Sequence, residues 1–419
     1  MAFPAVNPYL AIVLASLLGG WLLRLAVDSL NLRRLSPLLP EEFAGVYDAG
    51  RYRKSQDYLR ETTRLDRLAR TAETALAAAF ILLGGFPAAD RIARALGRGP
   101  VLRGLIFAAL PALLWAASCL PFRVYRVFRI EEKYGFNRTT GRTFLLDLAK
   151  GALLAAVLGG AVFSAAVAIF ERLGPGAWPV GWAALALFQL FVAFIAPAAV
   201  LPLFNTFTPL PEGELKAAIE RLARARRFRL RGIFTMDASR RSAKSNAFFT
   251  GFGALKRIVL FDTLLERLGT PEIVAVLAHE LGHFRRRHVL LLFAWGIAVQ
   301  GLLLFLLSRL LGDPLLFAAF RLERPSVYAG MVAFGFLASP ARWLCGLLEH
   351  AVSRRFELSA DRDGADTPYG AEALIAALKK LSRDNLSNLT PHPLKVFLEY
   401  SHPPVLERIR HLRRPGRHL

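Results

Sequence analysis

Cysteine is almost missing: Cys119 and Cys345 are the only two in 419 residues. Both fall in apolar stretches. A disulfide framework or a cysteine metal pair is therefore not expected, and each reads as a small buried hydrophobe. Acid is scarce beside base, with 32 Asp and Glu against 54 Lys and Arg and a net charge of +22. In a soluble chain that excess points to nucleic acid. No recognition module is visible, so no nucleic-acid partner is expected. Internal repeats and long low-complexity linkers are also missing.

What the chain has in excess is apolar length. It is 54% hydrophobic, with a mean hydropathy of +0.37, too apolar for an ordinary soluble protein of this size. A run of about 20 apolar residues spans a bilayer as a helix. Seven such runs are read, at 9–27, 71–89, 101–120, 151–170, 178–200, 289–311 and 327–348. The second and fourth are rich in Ala and Gly. The first is expected to be a retained anchor and not a cleavable signal peptide: no basic region precedes it, and Arg24 and further basic residues follow.

The basic residues alternate along the chain. None precedes Tyr9. The first loop carries Arg33, Arg34, Arg51, Arg53, Lys54, Arg60, Arg64, Arg67 and Arg70, and the third is basic from Arg123 through Arg142. The fifth loop and the C-terminal tail are basic; the second, fourth and sixth are light. Basic loops stay in the cytoplasm, so the N-terminus is expected outside and the C-terminus inside. Contact between these loops and acidic lipid heads favours the same orientation, with membrane lipid as a partner.

The organisation follows. Residues 1–203 read as five membrane helices with basic loops, and 204–288 as a polar block with candidate strands at 232–236, 246–250 and 257–261. Residues 289–348 read as two more membrane helices, and 349–419 as a second polar block. The catalytic unit is then split by a helical hairpin. Two polar clusters beside the membrane segments, EEKYGFNRTT at 131–140 and PLFNTFTPL at 202–210, each read alone as a capped loop at the membrane surface.

The first polar block contains PEIVAVLAHELGHFRRRH. Pro271 and Glu272 suit the first turn of a helix. His279 and His283 are four apart and share one helix face. Neutral imidazole is a good zinc ligand, and Glu280 between them suits a base acting on water. Gly282 permits close approach of a backbone or a substrate. An ordinary amphipathic helix with two satisfied histidines is the plain alternative. His288, five residues on, reads as a helix-interface histidine on another face.

A catalytic zinc keeps three protein ligands and an open position. SRRFELSAD at 353–361 offers Glu357 and Asp361, again four apart. Glu357 is read as the third ligand and Asp361 as an acceptor for a zinc histidine's second nitrogen; a surface ion pair with Arg354 or Arg355 is the alternative. Asp363 and Asp366 are nearby competitors. His402, in SHPP, suits a donor to the charge developing on a carbonyl oxygen, or else a plain exposed turn, as His392 in PHP does. Ser245–Phe249 reads as a strand edge to which an extended peptide can add. Its Asn246 amide suits a clamp on a substrate carbonyl, or serves merely as a turn residue. Another divalent metal would also suit a His/His/Glu site, with Zn²⁺ the default.

RYRKSQDY, EEKYGFNRTT, PLFNTFTPL, RSAKSNAFFTGF, KRIVLFDTLL, LAHELGHF, SRRFELSAD, DNLSNL and YSHPP occur in that order. On these motifs the chain resembles the type I CAAX prenyl endopeptidases, integral-membrane zinc metalloproteases of gluzincin type that process farnesylated C-termini. The resemblance implies a mostly α, polytopic membrane protein. Seven membrane helices would form a barrel around a water-filled chamber faced by the zinc site. It implies one Zn²⁺ per chain on His279, His283 and Glu357, with Glu280 as base and with Asp361, His402 and Asn246 supporting site and substrate. It also implies a peptide or protein substrate, prenylated in the family, cut before the last three residues of a CaaX tail. A monomer is expected.

The chain departs from the pattern in places. Lys244 stands where the family often has histidine. The tail RRPGRHL lacks a dilysine-type retention signal, and the Ala/Arg/Leu-rich composition looks bacterial. The expected location is therefore a bacterial inner membrane, with the endoplasmic reticulum for a eukaryotic source. A general membrane-protein quality-control protease without a prenyl requirement stays open. So does a transporter or scaffold with a structural zinc, although a structural site has no need for Glu280.

Overall fold

The computed structural model describes residues 7–250 and 256–414. It is mostly helical, with one small sheet. Among the described residues, four helices are long and apolar enough to cross a membrane: Pro8–Arg33, Gly99–Tyr134, Gly141–Phe204 and His288–Leu310. Two bent pairs also qualify when each is taken as one span. These are Ala49–Leu82 with Gly85–Leu96, bent by 67°, and Val327–Leu337 with Ser339–Ala365, bent by 52°. The expected runs at 71–89 and 327–348 straddle these bends, so neither is a straight rod. Gly84, at φ +85°, ends the first helix in a left-handed conformation that suits glycine. Pro340 lies in the first turn of Ser339–Ala365, where its missing N–H costs nothing.

The run Gly141–Phe204 is 64 residues long, far beyond one bilayer crossing. It turns back at Gly174–Ala177. A Cβ on Gly181 would lie 3.3 Å from Phe170, whereas eleven residues of straight helix rise about 16 Å.

The helices touch in chain order. Trp21 Nε1 donates to Thr71 Oγ1 at 3.0 Å, and Cys119 Sγ to Glu73 Oε1 at 3.2 Å. Gly104 faces Phe163. Trp182 Nε1 donates to the Ile297 carbonyl at 2.8 Å. Leu307 packs with Phe334 and Ala338. The Ser16 and Ser339 hydroxyls, 2.9 Å apart, bring the last pair back to the first helix. One end of this arrangement is filled by a core in which Phe86, Phe107, Leu316, Phe320 and Tyr328 are all buried. The cysteines are both free, and neither is fully buried, so the expectation of two buried hydrophobes is only half met.

The sheet has four strands: β1 Phe207–Pro209, β2 Gly232–Met236, β3 Ala247–Thr250 and β4 Arg257–Phe261. Their order is β1-β2-β4-β3, with β2 and β4 parallel and both outer strands antiparallel. The three expected strands are present, and β3 is an edge. The short β1 is an addition from within PLFNTFTPL.

That cluster and EEKYGFNRTT meet at one joint, which the capped-loop reading of each did not anticipate. Asn137 bridges to Ser242, Arg138 N–H donates to the Arg241 carbonyl, and Ala243 N–H to the Phe136 carbonyl. Arg241 grips Asp147 through Nε at 2.7 Å and reaches Asn205 at 3.2 Å. Lys244 donates to Tyr58 at 2.9 Å, pairs with Glu131 at 3.2 Å, and lies 4.5 Å from the Phe136 ring centroid. Lys244 therefore ties the peptide segment before β3 to the membrane helices.

Candidate metal centre

The HELGH sequence lies in the helix Thr270–Arg285. Glu272 accepts from the Gly269 N–H at 2.9 Å and so caps the start, as Pro271 and Glu272 led us to expect. Ile273, Val274, Leu277 and Leu281 bury against Ile219, Ile258, Leu260 and Leu264, which turns the opposite face toward Ser339–Ala365. The two helices cross closely through one glycine on each. A Cβ on Gly282 would lie 2.9 Å from Asp363 Cβ, and one on Gly364 would lie 3.1 Å from the Ala275 carbonyl oxygen and from His279 Cβ. Gly282 thus serves helix contact and not substrate approach.

This crossing brings His279, His283 and Glu357 together, with one ligand atom from each within 4.8 Å of the others. The two Nε2 atoms are 3.3 Å apart. His279 Nε2 is 3.5 Å from Glu357 Oε2, and His283 Nε2 is 3.2 Å from Oε1. Ligands about 2.0–2.1 Å from a tetrahedral zinc stand about 3.3 Å from each other, so the spacing fits. Glu357 is buried, and its Oε2 has no hydrogen-bond partner. A buried carboxylate oxygen left alone is costly, and a cation there would satisfy it.

The surroundings fix these groups. His279 Nδ1 is 3.0 Å from Asp361 Oδ1, and Asp361 is fully buried. Arg408, from the helix Val405–Leu412, holds Asp361 through two nitrogens, with Nε to Oδ2 at 2.9 Å. Its Nη1 stands 3.7 Å from Glu357 Oε2. Burial opposes charge on Glu357, but the imidazoles of His279 and His283 beside it outweigh that and hold the carboxyl well below the usual range. Glu280 is the opposite case: burial pushes its carboxyl up, against the pull of the two histidines.

His402 Nε2 is 3.2 Å from Glu357 Oε1, with its side chain 62% exposed at the rim. His392, by contrast, caps the helix Pro393–Glu399, accepting from Leu394 N–H. Asn246 is exposed just before β3. Its Oδ1 accepts from Ala247 N–H at 2.9 Å, and its Nδ2 makes no hydrogen bond among the described residues. Asp363 faces away from the cluster, bound by Arg286 at 2.8 Å and Arg285 at 3.2 Å; Asp366 pairs with Arg226 at 2.8 Å. Sequence reading missed Arg408, because nothing in the spacing of VLERIRHL separates it from Arg410.

His288 sits at a helix interface as expected, stacked on Phe356, but not on the face expected. In a continuous helix it would lie on another face from His283. The helix instead ends at Arg285, and Arg287 adopts a left-handed φ of 58°. His288 swings back until its Nδ1 is 3.1 Å from His283 Nδ1.

A molecule with these helices and this crossing is a metallopeptidase built into a membrane. Comparison with known proteins gives its family. Residues 28–206 match a model described as CAAX prenyl protease N-terminal, five membrane helices, and residues 209–415 match Peptidase family M48. The Arabidopsis thaliana CAAX prenyl protease 1 homolog is 36% identical, over 91% of this chain and 92% of its own. The Homo sapiens homolog is 30% identical, over 95% and 93%. The crystal structure of S. mikatae Ste24p superposes with a TM-score of 0.90 at 30% identity, covering 98% of this chain and 100% of that one. The chain belongs to the CAAX prenyl protease family of M48 peptidases. It is a multi-pass membrane metalloendopeptidase.

Proposed function

We propose that this enzyme is a zinc-dependent endopeptidase that cuts isoprenylated CaaX-type substrates near their C-terminus. One observation carries the reading: ligand atoms of His279, His283 and Glu357 converge from two crossing helices at tetrahedral spacing, and the buried Glu357 Oε2 lacks a partner. The family's names supply the substrate class.

His279, His283 and Glu357 would hold one zinc ion per chain. The ion, when bound, supplies Lewis acidity toward water and toward the carbonyl oxygen. The chain's own groups do the rest. Glu280, its carboxyl raised by burial, takes a proton from the attacking water and passes it to the departing amine. His402 donates from Nε2 to the oxyanion. The substrate adds as an extended strand to β3, whose outer edge has no neighbour among the described residues. The free Nδ2 of Asn246 donates to a substrate carbonyl at the start of that edge. Asp361 accepts from His279 Nδ1 and fixes its tautomer, and Arg408 holds Asp361 in place.

The membrane part is read as seven spans around a chamber. The four long helices and two bent pairs give six, and the fold-back at Gly174 makes two of Gly141–Phe204. A solid bundle buries the inward face of each helix. Here few residues of the long apolar helices are buried, which fits a wall one helix thick with lipid outside and space inside. The unit divides at 1–203, 204–288, 289–348 and 349–419, and the hairpin 289–348 splits the metallopeptidase. The filled core lies at the end with light loops. The metal centre lies at the basic end, where Arg51 pairs with Asp384. Basic loops stay inside, which favours a site on the cytoplasmic side, at a bacterial inner membrane or the endoplasmic reticulum.

The test is mass spectrometry of products from a farnesylated CaaX peptide and its unmodified twin, with and without chelator. Chelator-sensitive cleavage of the farnesylated peptide alone, three residues from its end, is the expected result. Equal cleavage of both would favour a general quality-control protease. Cleavage that resists the chelator would remove the metal mechanism.

A further inference from the structure

We propose that His288 is a positioning residue for the metal centre: it accepts the Nδ1 proton of His283 and so turns the bare Nε2 of His283 toward the cation. The inference rests on the reading of His279, His283 and Glu357 as ligands.

The argument follows one proton through three side chains. The Ser359 hydroxyl has a single hydrogen and two neighbours, the Phe356 carbonyl oxygen at 2.8 Å and His288 Nε2 at 3.4 Å. A carbonyl can only accept, and it is the closer of the two, so the hydroxyl donates there. The lone pair of Ser359 Oγ then receives the N–H of His288 Nε2. A neutral imidazole with a proton on Nε2 has none on Nδ1. That bare Nδ1 lies 3.1 Å from His283 Nδ1. Two lone pairs at that distance repel, so His283 carries its proton on Nδ1 and leaves Nε2 free.

The surroundings hold this arrangement. His288 is buried, at 5% exposure, which removes water as a competing acceptor. Its ring stacks on Phe356, with centroids 3.9 Å apart and planes within 4°. The left-handed Arg287, just past the end of the HELGH helix, turns the chain so that His288 returns to His283. The two histidines of the cluster are thereby steered differently. A charged carboxylate, Asp361, holds His279, while a neutral ring holds His283.

The experiment uses the full chain in detergent and measures zinc affinity by competition with a fluorescent chelator, beside the melting temperature of the metal-free protein. His288→Phe keeps the stacked ring and removes the acceptor. It is expected to weaken zinc binding about 10–100-fold, the usual cost of losing a histidine's outer partner, with metal-free melting unchanged. His288→Asn offers a carbonyl oxygen near the Nδ1 position and should recover most of that loss. Ser359→Ala, a milder change that frees the His288 tautomer, should weaken zinc binding several-fold. Wild-type affinity in both His288→Phe and Ser359→Ala would overturn the proposal. So would equal loss in His288→Phe and His288→Asn accompanied by lower metal-free melting, which marks a merely structural residue. Glu357→Ala is the control: if it too binds zinc normally, the ligand assignment has failed and not the role of His288.

Discussion

The membrane helices and the HELGH helix obey opposite packing rules. In His288–Leu310 four of 23 residues are buried. In Thr270–Arg285, which ends just before it, nine of sixteen residues are buried, among them Glu272 and His279. The first helix meets its surroundings through apolar side chains that tolerate exchange. The second is packed on one face against an apolar core and on the other is clamped by a glycine crossing and by polar partners. Precision resides where the chain is dense, and the membrane part acts as a frame around it.

That contrast can be broken or sharpened by substitution. The largest effect is expected from Glu357→Ala, which should abolish both zinc binding and turnover; elemental analysis beside a cleavage assay reads both. Glu280→Gln should lower turnover by about 10²–10⁴-fold, the usual weight of a positioned acid–base group, while zinc content stays at one per chain. Equal loss of zinc would make Glu280 part of the binding set. Gly282→Ala drives a Cβ into Asp363 and should destabilise the metallopeptidase unit by about 1–3 kcal/mol, as overpacking does. Arg408→Lys keeps the charge but loses the two-nitrogen grip on Asp361. It should weaken zinc binding several-fold without changing the cleavage position. Smallest of all is Gly296→Ala in the membrane helix, where nothing lies within 4 Å of the added carbon. Thermal unfolding in detergent should place it within about 0.5 kcal/mol of wild type. A shift as large as that of Gly282→Ala would erase the distinction between frame and core.

The sequence was most legible where chemistry follows helical spacing. His279 with His283, and Glu357 with Asp361, are each four apart, and the structure sets both pairs on facing sides of one crossing. Strands β2, β3 and β4 were legible from apolar runs between turn residues, whereas β1 is three residues long and exists because β2 offers it an edge. The bends at Gly84 and Ala338 were hidden, since hydropathy averages over them. Arg408 was hidden for another reason. Its task depends on a carboxylate 47 positions earlier, and no local pattern records a partner that distant. His288 was misplaced because helical periodicity was carried past the residue where the helix stops. The part of RSAKSNAFFTGF beyond Thr250 and the tail after Arg414 lie outside the described residues.

The left-handed turn at Arg287 has a structural corollary. His288 is at once the opening residue of a bilayer-crossing rod and the neighbour of a metal-site imidazole. One residue therefore ends the apolar helix and begins the shell of the cluster. The helix that carries Glu357 and Asp361 follows directly on another apolar helix, so ligands from both crossing helices sit at the ends of the membrane part.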